Sequence, residues 1–200
     1  MKNVSTVFTR LACFSRAALL TFLAIAAVTV SSIRAEAAVV CSNLPAALDI
    51  PNTFDGLYIN FVTGTSGTTS GAVPGWDSNI WSSSGSMKFF ASTSAANASA
   101  VVGSAGEASL LAPGTMIDSS SAVLTGVLNA AAFEVGVTNG YVGFAFNNEG
   151  TSTTNYGWAS LTTTSGGGFP ATLNQYCYDD SGAGIMAGTT PVSLQSYSID

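Results

Sequence analysis

The chain has 200 residues, of which 8% are charged, and its formal net charge is −6 at pH 7. It contains no histidine, so neither a Ser-His-Asp nor a Cys-His catalytic arrangement can be built. After residue 37 the only basic residue is Lys88, and a single cation cannot neutralise a run of phosphates, which excludes nucleic acid and anionic membrane surfaces as partners.

A secretory signal peptide is predicted over residues 1–37. Basic residues without acidic ones precede residues 17–30 (AALLTFLAIAAVTV), an apolar segment shorter than the roughly 20 residues that a membrane-spanning helix needs. A basic start, a short apolar core and a small-x-small exit, here Ala35-Glu36-Ala37, are typical of a cleaved signal. We therefore expect a single secreted domain over residues 38–200, with no membrane insertion after cleavage. An uncleaved anchor helix is the alternative.

Two cysteines, Cys41 and Cys177, remain after the signal. In an oxidising compartment such a pair predicts one disulfide bond, and two free buried thiols are the alternative. Two cysteines without histidine cannot form a closed zinc site. The sequence therefore predicts neither zinc nor another cofactor. It predicts one disulfide bond that links the beginning of the domain to a residue near its end.

Short β-rich runs alternate with clusters of Gly, Ser, Thr, Asn and Pro after the signal, as in sandwiches and barrels. Residues 123–132 could form either a short helix or a strand. Strands are predicted over residues 57–62, 87–91, 100–103, 141–147, 155–163 and 171–179.

The clearest predicted element is a hairpin formed by residues 141–147 and 155–163. Val142, Phe144 and Phe146 alternate on one face of its first strand. Antiparallel sheets bury one face and expose the other, so this alternation indicates one sheet packed on another. The predicted fold is all-β, an antiparallel β-sandwich of the jelly-roll type.

Four Gly/aromatic blocks carry a resemblance to a known group of proteins. They are FDGLYINFVTG (54–64), GWDSNIW (75–81), GYVGFAFNNE (140–149) with NYGW (155–158), and YCY (176–178) with GIMAG (184–188). In this order they resemble uncharacterised bacterial secreted proteins, many of which carry a PEP-CTERM sorting tail. The resemblance implies an extracellular or matrix setting linked to exopolysaccharide producers, and no established reaction. The sorting tail itself is missing after Gly188, so we expect release rather than membrane-linked sorting.

Paired carboxylates are the remaining catalytic option, as in glycoside hydrolases. None of the acidic residues lies in an E-x-D-x-x-E strand pattern, so we interpret them as solvated groups at strand ends and turns and predict that the protein is not an enzyme. Asp77-Ser78-Asn79 and Asp179-Asp180 offer oxygen ligands, but neither extends into a calcium-binding loop, and no metal site is predicted. The candidate carboxylates are Asp55, Asp77, Glu134, Glu149, Asp179 and Asp180.

Four aromatic residues are candidates for stacking on sugar rings: Trp76, Trp81, Tyr156 and Trp158. Asparagines nearby offer polar partners, but packing inside the domain is the role that we favour for these rings, and sugar stacking is the alternative. The leading hypothesis is a non-catalytic secreted matrix or surface protein that binds or scaffolds extracellular polymer, with polysaccharide as the expected partner. A carbohydrate-binding module is the first alternative, and a carboxylate-based glycoside hydrolase is the less favoured one.

Overall fold

A computed structural model describes residues 38–94 and 97–191 of the chain, and the predicted signal peptide lies outside these ranges. Within them the regular elements are strands, apart from one turn of 3-10 helix at Ser70–Ala72. The all-β class is confirmed, and the segment 123–132 contains two strands instead of a helix. In chain order the strands are β1 (Val39–Cys41), β2 (Leu48–Ile50), β3 (Leu57–Ile59), β4 (Ser66–Gly67), β5 (Ser78–Ser83), β6 (Ser86–Ala91), β7 (Ser99–Ser104), β8 (Glu107–Ala108), β9 (Met116–Ile117), β10 (Val123–Leu124), β11 (Gly126–Asn129), β12 (Gly140–Asn148), β13 (Thr153–Thr162), β14 (Ala171–Asp179) and β15 (Ile185–Met186).

Most of these strands belong to one large, curled sheet. Its order is β1-β14-β13-β12-β7-β8-β11-β6-β5-β3-β4, with β10 paired to β7 and β2 paired to β14. Antiparallel pairing predominates among the described strands, and the short contact between β8 and β11 is parallel. Strands β9 and β15 form a separate two-stranded ribbon.

The predicted hairpin is present as β12 and β13, and β14 extends it on the far side of β13. Phe144 lies opposite Gly157 in this register. A Cβ atom at Gly157 would stand 2.8 Å from the carbonyl oxygen of Cys177, so only glycine allows the neighbouring strand to approach at this point.

The main hydrophobic core lies on the concave side of the curled sheet. Phe61, which follows β3, packs its ring against Phe144 and Phe146 of β12 at centroid distances of 4.9 and 5.2 Å. Tyr176 of β14 completes this group at 5.2 Å from Phe61. These rings come from distant parts of the chain. Their burial removes a large apolar area from water and therefore stabilises the curled form of the sheet.

A second, smaller cluster lies on the opposite face of β12, β13 and β14. Trp158, Gly143 and Cys177 stand side by side across these strands, on the face that Phe144 does not share. The β9–β15 ribbon covers them, with Ile117 and Ile185 packed in the same cluster. Both faces of this part of the sheet are therefore buried.

A disulfide bond joins Cys41 of β1 to Cys177 of β14, where the two residues are direct neighbours in register. It closes a loop between residues that are 136 positions apart. Replacing both cysteines with serine is expected to lower the free energy of unfolding by about 2–4 kcal/mol, because the unfolded chain regains the entropy of the open loop. Guanidinium denaturation of the two forms measures the difference. An unchanged midpoint would contradict this prediction, and thiol labelling of the exported wild-type protein is its control.

Candidate functional site

A partly exposed aromatic surface lies on the side of β3, β5 and β6 that faces away from the main core. Tyr58 is paired with Asn79, and Asn79 is paired with Phe90, so the sheet pleat points all three side chains to the same side. Trp81 projects from the same side two residues beyond Asn79. We call this surface the aromatic face and define it by Phe54, Tyr58, Trp76, Trp81 and Phe90.

The rings of the aromatic face meet at steep angles. Phe54 and Trp81 are 4.8 Å apart with an interplanar angle of 71°, and Tyr58 and Trp76 are 5.1 Å apart at 74°. Trp76 also lies 5.6 Å from Phe90. Edge-to-face contacts of this kind are favourable between aromatic rings, and they make the surface corrugated, with an open cavity of about 260 Å³ between the rings.

A glycine positions Phe54 beside Trp81. Gly56 adopts a left-handed conformation with φ of 59°, and a Cβ atom there would lie 2.1 Å from the carbonyl oxygen of Ile80. The loop can therefore cross closely over β5 only because residue 56 has no side chain. Asn79 fixes it further, since its Nδ2 donates to the backbone oxygen of Asp55 at 2.6 Å. Phe54 itself is 77% exposed.

A tight turn and a side-chain hydrogen bond place the two tryptophans of the aromatic face. Ser84 and Gly85 connect β5 to β6 with φ angles of 53° and 86°, the combination of a type I′ hairpin turn. This turn sets the register that holds Trp81 opposite Lys88. Trp76 precedes β5, and its backbone oxygen accepts a hydrogen bond from Nδ2 of Asn97.

Charged groups border the aromatic face on two sides. Lys88 donates from Nζ to Oδ1 of Asn129 at 2.6 Å, and Nδ2 of Asn129 donates to Oε1 of Glu107 at 2.9 Å. On the other side, burial and then the charge of Asp55 raise the pKa of the Tyr58 phenol. The surface thus combines apolar rings with a few polar groups at its edges.

The structure separates the four predicted stacking residues into two pairs. Trp76 and Trp81 are half-buried members of the aromatic face, whereas Trp158 and Tyr156 belong to the cluster under the β9–β15 ribbon. Trp158 is 2% exposed, packs against Tyr141 at 5.2 Å and donates from Nε1 to the backbone oxygen of Thr189 at 3.2 Å. Its ring has no open face, so the structure removes Trp158 from the candidate stacking residues.

Three members of the aromatic face were missing from the sequence-based set: Phe54, Tyr58 and Phe90. The alternation of β3 contained a signal for one of them, since Leu57 and Ile59 point inward and Tyr58 must then point outward.

A buried carboxyl group lies next to Trp76. Asp77 is fully buried, and its Oδ2 accepts a hydrogen bond from the backbone N–H of Phe61 at 2.8 Å. Among the residues that the structure describes, neither its Oδ1 nor the hydroxyl of Ser78 has a hydrogen-bond partner. Burial, and to a smaller extent the charge of Glu149, raise the pKa of Asp77 to about 8, although the hydrogen bond from the N–H of Phe61 acts in the opposite direction and lowers it.

The interpretation of the carboxylates as solvated groups is wrong for two of them. Asp77, which directly precedes β5, and Asp179, which ends β14, are both buried. Oδ1 of Asp179 accepts hydrogen bonds from the N–H and the hydroxyl of Ser181 at 2.8 and 2.5 Å. Both carboxyl groups are thus held inside the domain, where a polymer cannot reach them.

No three side chains of His, Cys, Asp or Glu gather into a metal-binding group in the part of the chain that the structure describes. A helix with the length and apolar character of a membrane span is likewise absent from residues 38–94 and 97–191. No family model, curated protein or solved structure matches the chain. Its function must therefore be inferred from the geometry of its own surface.

Proposed function

We propose that this protein is a non-catalytic secreted domain that binds extracellular polysaccharide through the aromatic face. The proposal rests on one observation: the exposed ring of Phe54 and the half-buried rings of Tyr58, Trp76, Trp81 and Phe90 lie together on one side of the sheet. A continuous apolar patch is costly to leave in water and is typical of a binding surface.

Sugar chains suit this surface chemically. A pyranose ring presents apolar C–H groups on its faces and hydroxyl groups around its edge. Stacking on Trp81 or Trp76 would bury those C–H groups at about 25 cal/mol per Å² of apolar area. Asn129 and Lys88 lie at the border of the rings, where sugar hydroxyls would find hydrogen-bond partners.

The proposed setting is extracellular. The predicted signal peptide, the Cys41–Cys177 disulfide and the resemblance to secreted proteins of exopolysaccharide producers support export. The composition, which is rich in Ser and Thr and has only 8% charged residues, supports a matrix or cell-surface role.

We further propose that the curled sheet is a jelly-roll-like sandwich. In this proposal two halves of the sheet face each other across the core, and the contacts of Phe61 with Phe144 and Phe146 support it. This arrangement supports the binding hypothesis, because it places β3, β5 and β6 at the outside of one half.

The glycoside hydrolase is the less favoured hypothesis. Hydrolysis needs two carboxyl groups on either side of the scissile bond. Asp77, the carboxyl with the clearly raised pKa, lies beneath the surface. Asp55 and Glu107 border the aromatic face on two different sides, and Glu107 accepts a hydrogen bond from Asn129.

A binding panel tests the proposed function. The exported domain is titrated with hydroxyethyl cellulose, soluble starch, xylan, galactomannan and methyl-esterified pectin, and each mixture is assayed for new reducing ends. We expect saturable binding to at least one polymer without release of reducing ends. Absence of binding across the panel contradicts the proposal, and hydrolysis would restore the enzyme hypothesis.

A further inference from the structure

Lys88 is the basic residue nearest to the aromatic face and the only one in the described residues. It stands directly opposite Trp81, where an ammonium group could attract the carboxylate of an acidic sugar. Whether a neighbouring group compensates the charge of Lys88 therefore decides whether the surface prefers a charged or an uncharged polymer.

The charge of Lys88 is already compensated. Its Nζ donates to Asn129, and the amide of Asn129 donates in turn to Oε1 of Glu107. Oε2 of Glu107 accepts from the backbone N–H of Ala131 at 3.3 Å, which fixes the carboxylate in this position. One amide separates the ammonium from the carboxylate, so the two opposite charges largely cancel at the distance of a bound sugar.

The other side of the aromatic face carries a negative charge. Asp55 is exposed, follows Phe54 directly and lies close enough to Tyr58 to influence its pKa. An anionic polymer crossing the rings would meet this carboxylate without a matching cation. Like charges brought together at a binding surface weaken association.

We infer that the aromatic face selects uncharged polysaccharide chains over carboxylated ones, with Glu107 as the residue that suppresses anion binding by Lys88. The inference rests on the proposed function and adds the class of polymer. Two consequences follow for the molecule. Affinity for a neutral polymer is insensitive to salt, and removal of the Glu107 charge exposes Lys88 to anionic ligands.

Pairs of polymers that share a backbone and differ in charge test this inference. The pairs are hydroxyethyl and carboxymethyl cellulose, starch and carboxymethyl starch, xylan and carboxymethyl xylan, galactomannan and carboxymethyl galactomannan, and methyl-esterified and de-esterified pectin. In 50 mM NaCl the charged member of the binding pair is expected to bind at least about 10-fold more weakly, because the repulsion by Asp55 is only partly screened. The difference should shrink in 500 mM NaCl, while neutral binding changes by less than about twofold.

The variant Glu107→Gln is the critical comparison. It is expected to reduce the neutral-to-charged affinity ratio at least about threefold, since Lys88 then acts as an uncompensated cation. Glu134→Gln, which removes the same charge from the turn after β11, should leave the ratio unchanged.

Tighter binding of the charged member, with affinity that falls as salt rises, overturns the inference and leaves the proposed function standing. An unchanged ratio in Glu107→Gln also overturns it. If no member of any pair binds, the proposed function fails as well, so the two failures are distinguishable.

Discussion

Replacing Trp81 with alanine is expected to weaken polysaccharide binding by about 10- to 100-fold, equivalent to about 1.4–2.7 kcal/mol. Trp81 lies between Phe54, whose ring contacts it at 4.8 Å, and Lys88 across the strand pair. Its indole offers a broad stacking surface, and its removal also leaves Phe54 without its aromatic neighbour. Isothermal titration with the polymer that binds in the panel measures the loss.

Tyr156→Ala is the matched control for Trp81→Ala. Tyr156 is also half-buried and aromatic, but it packs in the cluster under the β9–β15 ribbon. We expect its replacement to change affinity by less than about twofold, since few residues carry most of the energy of an interface. Equal losses in the two variants, or wild-type affinity in Trp81→Ala, would show that the aromatic face is not the binding surface.

The free energy of unfolding is expected to fall as the pH rises from about 4 to about 8, the interval between the usual pKa of an aspartate and that of Asp77. Over this interval the folded protein keeps a proton that the unfolded chain has already released, so each rise in pH favours unfolding. The limiting slope is about 1.4 kcal/mol per pH unit, which makes a total of several kcal/mol possible. Above pH 8 both states are ionised and this contribution becomes constant. Urea denaturation between pH 4.5 and 9 measures the slope.

Two variants isolate Asp77 as the source of that slope. Asp77→Asn keeps an oxygen that can accept from the N–H of Phe61 and carries no charge, so its stability should vary little with pH and exceed that of the wild type at pH 8. Glu149→Gln removes a neighbouring charge that raises the pKa of Asp77, and should move the end of the decline to lower pH. A wild-type stability that rises between pH 5 and 8 would refute this account of Asp77.

The lower limit of pH 4.5 has a physical reason. Hydrogen bonds from Ser120, and then from Ser121, lower the pKa of the half-buried Asp118. That shift makes stability fall as the medium becomes more acidic, the opposite sign to the effect of Asp77, but only at pH values near and below the usual aspartate pKa. Measurements above this range therefore record Asp77 with little interference.

Alternation in the sequence predicted the fold class and the β12–β13 hairpin, because the side chains of a strand repeat with a period of two. Packing was the favoured role of Trp158, and its burial agrees with that role. The expectation that one face of the sheet is exposed is wrong at β12, β13 and β14. The β9–β15 ribbon covers that face, and strands of two residues leave no periodic pattern in the sequence. A covering element of that size becomes visible only in three dimensions.

Some residues of the aromatic face could be predicted from the sequence. Trp76 and Trp81 stood out by residue type, and the inward positions of Leu57 and Ile59 imply that Tyr58 points outward. The position of Phe54 depends on the left-handed conformation of Gly56, which composition does not reveal.

The burial of Asp77 was beyond prediction for a related reason. It depends on how the segment after β3 folds over the start of β5, where Phe61 donates to the carboxylate. Local sequence patterns carry no information about such a contact between separate parts of the chain.

The indole N–H signals of the three tryptophans give the most direct test of binding at the aromatic face. Proton–nitrogen correlation spectra of the ¹⁵N-labelled domain are recorded during titration with cellohexaose, maltohexaose, xylohexaose and mannohexaose, with signals assigned from Trp81→Phe and Trp158→Phe. We predict that at least one of these sugars shifts the Trp76 and Trp81 signals and leaves that of Trp158, which is bonded to Thr189, in place. A shift of Trp158 alone, or four titrations without any shift, would contradict the account.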